Sequence, residues 1–337
     1  MPPDPTDPRP TAPDRTDPDA RSAASGRGGL RGAGDGAGQG AGHGRGRGPL
    51  AALAALGALV LVAASLAACS PLTAFNALVP KDEAGPVARD IAYGAHPRQR
   101  LDVYAPPPGA ATDPGGAPVV VFVHGGSWRT GDKAGYAWAG RALASRGFVA
   151  VLPNYRLGPE GRYPAMAEDA AAAIRWARSN GAAHGGDGSR LAASGHSAGA
   201  YNAAQAVLAP EFGLEPGTVD ALVVMSGPVD FLPLDTDSTI AAFGHVPPGE
   251  LPATQPVRRA GEGSPPPTLV IHGTDDETVE PRHARALDAA IRAAGGRSDL
   301  RLYEGVDHRG VVLGLSRPFR GRVPTLDDVT AFLNEVL

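Results

Sequence analysis

The feature that most restricts the fold is a set of short apolar runs, of which PVVVFVHGG at residues 118–126 is the clearest. A continuous β-branched run is typical of a strand buried on both faces, because a strand with one wet face alternates apolar and polar residues. The other predicted strands are RLDVYAP, FVAVLPNYR, RLAASGHS, VDALVVMSG, PTLVIHG and LRLYEGV. Helical patterns between or after them cover residues 133–146, 164–178, 197–208, 282–294 and 325–336. This alternation predicts an α/β fold, with a mostly parallel central sheet flanked by helices on both faces.

Composition divides the 337 residues into four segments. Residues 1–48 are rich in Pro, Gly, Arg and Asp and cannot bury enough apolar surface to offset the entropy of folding, so we predict a disordered head. Residues 49–69 form a predicted signal segment and residues 70–89 a linker. Residues 90–337 form one α/β domain that contains the candidate catalytic residues, with one long irregular excursion at residues 230–263.

The signal segment has the parts of an export signal in the expected order. Arg45 and Arg47 precede an uncharged stretch, and small residues lead to Cys69. The ending LAAC resembles a bacterial lipobox, where the signal is cleaved before a cysteine that carries lipid. We therefore expect an exported bacterial protein, lipid-anchored through Cys69 on the outer side of the cytoplasmic membrane or in the cell envelope. An uncleaved membrane-spanning helix is the alternative interpretation.

The head before this signal is unusually long, so it is either a cytoplasmic tail or a stretch upstream of the true start.

Charge and cysteine content exclude several other classes of protein. The formal net charge is −4, and no long basic run lies outside the head, so nucleic acid is not an expected partner. With Cys69 as the single cysteine, an internal disulfide and a Cys-based zinc site are excluded. The sequence gives no indication of oligomeric state.

A candidate nucleophile lies in LAASGHSAGA, at residues 191–200. Residues 195–199 fit G-x-S-x-G, in which a serine, here Ser197, occupies a strained strand-to-helix turn and the glycines prevent clashes. The motif stands between a predicted strand and a predicted helix, which is the context that it requires. The alternative is a tight turn with a solvent-facing serine.

A general base and an acid are available at later strand ends. Of the nine histidines, His308 follows the last predicted strand and lies C-terminal to the other candidates, which favours it as the base. Asp275 and Asp276 both follow PTLVIHG and are candidates for the acid that orients the imidazole. Asp230 and Asp307 are the remaining alternatives.

An oxyanion site and a pocket wall are predicted from the neighbouring segments. In HGGSW, the N–H groups of Gly125 and Gly126 can join that of Ala198 in stabilising a tetrahedral intermediate, each donor contributing roughly 3–4 kcal/mol. Trp128 follows this loop, and Tyr201 lies one helical turn beyond the serine. Both aromatic residues either wall the substrate pocket or belong to the core.

The segments VFVHGGSW, LPNYRLGPEGRYPAMAEDAAAAIRW, GHSAGA, HGTDDETV and GVDH resemble the α/β-hydrolases of the hormone-sensitive-lipase-like and arylformamidase-like esterase groups. The resemblance covers about residues 90–337 and implies the α/β-hydrolase fold. It implies that Asp276 is the acid, because H-G-x-x-D places it there in these relatives. It also implies no metal and no organic cofactor. Two departures are Ser127, where many relatives have a third glycine, and a short or missing cap, which disfavours long-chain triglycerides.

The expected function is therefore that of a serine carboxylesterase acting on short-to-medium acyl esters. A Ser197–Asp276–His308 triad would act through an acyl-enzyme intermediate on a small-molecule ester or amide. An arylformamidase or amidase with the same triad is one alternative. A catalytically silent binding protein with the hydrolase fold is the other.

Overall fold

One eight-stranded sheet forms the centre of the molecule in the computed structural model, which describes residues 71–107, 109 and 114–337. The strands are β1 Gly85–Ala92, β2 Arg100–Ala105, β3 Ala117–Val123, β4 Val149–Pro153, β5 Gly186–His196, β6 Ala221–Met225, β7 Thr268–Gly273 and β8 Ser298–Tyr303. Their spatial order is β1-β2-β4-β3-β5-β6-β7-β8. Strand β2 runs antiparallel to both β1 and β4, and the other neighbouring pairs are parallel. The predicted head, the signal segment and Cys69 lie outside the described residues.

Helices cover both faces of this sheet. They are α1 Pro71–Leu78, α2 Ala137–Ser145, α3 Ala165–Asn180, α4 Ala198–Leu208, α5 Asp237–Phe243, α6 Pro256–Arg259, α7 Arg282–Ala293, α8 His308–Leu313 and α9 Thr325–Val336. Alternate residues of β3 enter different cores, as the two-residue repeat of a strand requires. Val119 and Val121 belong to the same core cluster as residues of α3, α4 and α7, whereas Val120 and Phe122 belong to the cluster that contains residues of α2 and α9. The predicted α/β class is confirmed.

The N-terminal part of the described chain differs from its prediction as a linker. Residues 71–89 contain α1 and the first half of β1, and both pack on the domain. The Phe75 ring meets Trp138 edge-on at 5.4 Å, and Asp82 pairs with Arg320 at 2.8 Å. These residues contribute an edge strand and a covering helix, so the domain begins before the predicted boundary at residue 90. No helix in the described ranges is long and apolar enough to cross a membrane.

Two further segments refine the predicted pattern. The expected helix at 133–146 begins as a 3₁₀ turn, Lys133–Tyr136, which Asp132 caps by accepting a hydrogen bond from Ala134 N at 2.9 Å. The irregular excursion between β6 and β7 contains α5, a 3₁₀ turn at Leu251–Thr254, and α6. It folds into a short helical layer rather than a large cap.

Candidate active site

The candidate nucleophile occupies the sharp connection between β5 and α4. Ser197 has φ 56° and ψ −127°, a backbone conformation that is unfavourable for a residue with a side chain. Its N–H donates to the Met225 carbonyl of the neighbouring strand β6 at 2.9 Å, which holds the turn in place. The Ser197 residue is half-buried, at the carboxyl end of the central strand. The predicted strained strand-to-helix turn is therefore present.

The two glycines of the motif are required by the backbone around the serine. A Cβ added to Gly195 would lie 2.4 Å from the Gly199 carbonyl carbon. A Cβ added to Gly199 would lie 2.1 Å from the Val123 carbonyl oxygen at the end of β3. Both distances are far below van der Waals contact, so no side chain fits at either position. The glycines let α4 start directly against β3 and β5.

An aspartate and a histidine meet in the loops after β7 and β8. His308 Nδ1 lies 2.7 Å from Asp276 Oδ2. Asp276 is almost fully buried, and its Oδ1 accepts hydrogen bonds from the Thr278 and Val279 amides at 3.0 and 2.8 Å. Burial alone would raise the pKa of the Asp276 carboxyl, but hydrogen bonds from His272, His308 and Val279 hold that pKa well below its usual range. The ionised carboxylate favours a proton on His308 Nδ1, which leaves Nε2 able to accept one.

Backbone pairing between these two loops brings the acid to the base. The Thr274 amide donates to the Tyr303 carbonyl at 2.9 Å, and the Asp275 amide donates to the Val306 carbonyl at 3.1 Å. A Cβ on Gly273 would lie 2.0 Å from the Val306 oxygen, so this close approach needs glycine. The register of the last two strands therefore determines the Asp276–His308 contact.

The other candidate acids have different environments. Asp275 is exposed, and its Oδ1 accepts a hydrogen bond from Thr274 Oγ1 at 3.0 Å. Asp307 caps α8 by accepting from the Gly310 amide at 2.7 Å. The backbone of Asp230 contacts His283 and Arg282 instead. Of the four aspartates considered, Asp276 is the one that is hydrogen-bonded to His308.

Sequence reasoning missed two histidine contacts with this pair. His196 Nε2 donates to the His308 carbonyl at 3.0 Å, and the two rings lie 4.8 Å apart. Burial and the neighbouring His308 lower the pKa of His196 to about 3, so His196 stays neutral at physiological pH. His272 Nε2 lies 2.7 Å from the Val279 carbonyl and 3.2 Å from Asp276 Oδ2. The four-residue spacing from His272 to Asp276 is the signal that could have indicated this second contact.

Two of the three predicted oxyanion donors, Gly125 and Ala198, lie beside the serine. A Cβ on Gly125 would come within 3.0 Å of Ser197 Cβ, which places Gly125 directly against the candidate nucleophile. Ala198 is the first residue of α4, where amides have no acceptor within the helix and the positive end of the helix dipole lies. The structure brings both backbone positions to Ser197.

Gly126 begins a tight turn that continues this loop. Its φ is 130°, and its carbonyl accepts hydrogen bonds from the Arg129 and Thr130 amides, both at 3.0 Å. Ser127 and Trp128 also have positive φ values, 53° and 57°. Three successive residues in sparsely populated conformations indicate a loop shaped by its surroundings. Exposed Ser127 occupies the position where many relatives have glycine.

A cavity of about 400 Å³ lies beside the indole that follows this turn. Trp128 lines it, while the indole Nε1 donates to Asn202 Oδ1 at 2.9 Å. Tyr201 packs edge-on against Trp128 at 5.4 Å and is completely buried, with its hydroxyl donating to the Thr254 carbonyl at 2.8 Å. Trp128 therefore belongs to both the core and the cavity wall, and Tyr201 packs against its indole within the core.

Within the described ranges, no group of three or more His, Cys, Asp or Glu side chains is arranged to hold a metal ion.

The fold and the order of these loops define an α/β-hydrolase. Candidate nucleophile, acid and base follow β5, β7 and β8, and this chain order differs from the two other arrangements of a serine triad. Residues 101–291 match the BD-FAE family. The chain belongs to that family.

Several known proteins similar to this chain are named as esterases. A probable isoprenylcysteine α-carbonyl methylesterase, ICMEL1 of Oryza sativa subsp. japonica, is 32% identical, over 74% of this chain and 63% of that protein. Esterase LipC of Mycobacterium tuberculosis is also 32% identical, over 74% of this chain and 65% of LipC. The chain thus spans slightly less than two thirds of the length of these relatives. A thermophilic esterase of Thermogutta terrifontis, solved with propionate bound, has a TM-score of 0.60 and 27% identity, covering 76% of this chain and 95% of that structure.

Proposed function

We propose that the protein is a serine carboxylesterase that hydrolyses short-to-medium acyl esters with Ser197, His308 and Asp276. The observation that carries the proposal is the 2.7 Å contact between a buried, ionised Asp276 and His308 Nδ1. This contact lies at the carboxyl ends of the strands, as does the strained Ser197. The similarity to proteins named as esterases supports the reaction class. The propionate-bound relative and the short helical layer in place of a large cap support acyl groups of limited length.

The proposed reaction proceeds in two halves. Ser197 Oγ attacks the ester carbonyl while its proton passes to His308 Nε2, and Asp276 stabilises the resulting imidazolium. The N–H groups of Gly125, Gly126 and Ala198 receive the developing oxyanion. The C–O bond to the alcohol breaks, and His308 returns the proton to that leaving oxygen. Water then attacks the acyl-serine with His308 as base, which releases the acid and regenerates Ser197.

The test is an assay of the full-length protein against p-nitrophenyl esters of increasing acyl length, together with N-formylkynurenine. We expect measurable hydrolysis of the acetate and butyrate esters, with kcat/KM falling at longer chains because the short helical layer at residues 230–263 offers little surface to bury a longer chain. A clear preference for the formamide would instead identify an amidase with the same triad. A protein that unfolds cooperatively yet turns over neither substrate class would contradict catalysis and indicate a binding protein.

We also propose that the protein is exported and lipid-anchored through Cys69. The support is the order of basic residues, uncharged stretch and LAAC in the sequence. In an actinobacterial or proteobacterial host supplied with labelled fatty acid, the wild-type protein should incorporate the label and lose residues 1–68. Cys69→Ala should incorporate none, and the result is unambiguous because the sequence has no other cysteine. An unlabelled wild-type protein that retains the apolar stretch would show an uncleaved anchor.

A further inference from the structure

The cavity beside Trp128 has charged side chains that a pocket for a simple alkyl ester does not need. Exposed Arg129 and Arg162 line it, together with Asp237 and the apolar Ile240. A small neutral acyl group gains little from guanidinium groups, because its burial is stabilised mainly by apolar contact. Two cations and one anion leave the lining with one excess positive charge at neutral pH.

The guanidinium groups of the two cavity arginines have no partner among the residues that the structure describes. Arg129 and Arg162 are exposed, and their hydrogen bonds there are made by the backbone alone. Arg156, in the same connection between β4 and α3 as Arg162, has an opposite environment: it pairs with Asp169 at 2.7 Å and with Glu168 at 3.0 Å. The cavity therefore offers two unpaired guanidinium groups, whose planar donors match the geometry of a carboxylate.

The cavity adjoins the candidate active site through the loop that contains Gly126 and Trp128. Trp128 is two residues beyond Gly126, and two residues of chain span at most about 7 Å. One wall of the cavity therefore continues directly from the oxyanion loop, and α5 supplies the facing wall through Asp237 and Ile240. Ser197 and His308 are not among the lining residues, so a substrate group that reaches the cavity must extend from the ester carbonyl along this loop.

We propose that this cavity is a subsite for a carboxylate, so that the preferred substrates are esters with a carboxylate a few bonds from the scissile carbonyl. The proposal rests on the proposed esterase function and adds its substrate class. Arg129 and Arg162 would hold the carboxylate by charge-assisted hydrogen bonds. The negative charge of Asp237 would repel the substrate carboxylate and weaken its binding. Removal of that charge should therefore strengthen binding, whereas removal of either arginine should weaken it.

The experiment compares two esters of the same shape and different charge with the full-length protein. Monomethyl glutarate carries a carboxylate, and methyl 4-carbamoylbutanoate carries a neutral amide in its place. The readout is the ratio of their kcat/KM values at low ionic strength. We expect the wild type to favour the carboxylate by about tenfold. Arg129→Gln and Arg162→Gln should each lower this ratio, mainly through KM, and Asp237→Asn should raise it.

Arg285→Gln is the matched control, because this exposed arginine on α7 is not part of the cavity lining and its loss changes the net charge equally. It should leave the ratio unchanged, whereas added salt should reduce the wild-type ratio. A wild-type ratio at or below one overturns the subsite, as do arginine variants that slow both esters equally. If p-nitrophenyl butyrate is hydrolysed and the ratio shows no preference, only the subsite fails. If no ester is hydrolysed, the esterase function fails as well.

Discussion

Replacing Ser197 by alanine should abolish ester hydrolysis while leaving the fold intact. The substitution removes the proposed nucleophilic oxygen but keeps the Cβ, and the backbone hydrogen bond from residue 197 to Met225 is unaffected. Serine hydrolases that lose the nucleophile retain only the rate contributed by binding and the oxyanion donors, so we expect kcat to fall by about 10⁴-fold or more. The measurement is steady-state hydrolysis of p-nitrophenyl acetate, accompanied by the thermal unfolding midpoint.

The chain contains a matched control for this variant. Ser226 also has a positive φ, 48°, and follows β6, the strand next to β5. Its hydroxyl is buried without a hydrogen-bond partner among the described residues, and it has no part in the proposed reaction. Ser226→Ala should therefore retain nearly full activity. If Ser197→Ala hydrolysed the ester as fast as Ser226→Ala, the nucleophile would be a residue other than Ser197.

Asp276→Asn should cause the second largest loss of activity, about 10³- to 10⁴-fold in kcat. The amide can still accept from the Thr278 and Val279 amides through its oxygen, so the loop geometry is expected to persist. The group facing His308 Nδ1 would then be a neutral donor, which favours the wrong imidazole tautomer and no longer stabilises the imidazolium. The loss should appear in kcat with little change in KM, as measured with the acetate ester.

Asp275→Asn provides the comparison for the acid. It changes the adjacent residue in the same way, but Asp275 is exposed and contacts Thr274 rather than His308. We expect its kcat to stay within about twofold of the wild-type value, since exposed polar contacts of this kind have small effects. Equal losses for the two variants would show that Asp276 is not the acid.

The central strands and the serine turn could be predicted because short-range patterns specify them. Continuous β-branched runs such as residues 118–123 fit buried parallel strands and little else. The turn at Ser197 could be predicted for the same reason, because Gly195 and Gly199 are imposed by contacts within a few residues and with the adjacent strand. Local sequence therefore contained most of the information about the sheet and its nucleophile turn.

The first strand and helix could not be predicted in this way. Strand β1 has the sequence GPVARDIA, which contains a proline and two charges and lacks an apolar run. It lies at the edge of the sheet and pairs antiparallel with β2, and two shifts of register in this pairing remove the regular alternation that would mark a strand. The contact of His196 could not be predicted for a different reason, because its bond to the His308 carbonyl joins residues 112 positions apart. Such contacts follow from the register of the whole sheet.

The excursion between β6 and β7 has a consequence for how this protein can diversify. All the proposed catalytic groups come from the loops after β3, β5, β7 and β8, whereas Asp237, Ile240 and Ala242 of the cavity come from this one connection. Phe231 and Phe243 of this connection are buried in the core, whereas Asp237 and Ile240 are exposed, and exposed positions of a connection tolerate exchange better than a strand does. We therefore expect changes at the exposed positions of residues 230–263 to alter the proposed substrate range while the proposed catalytic residues keep their places.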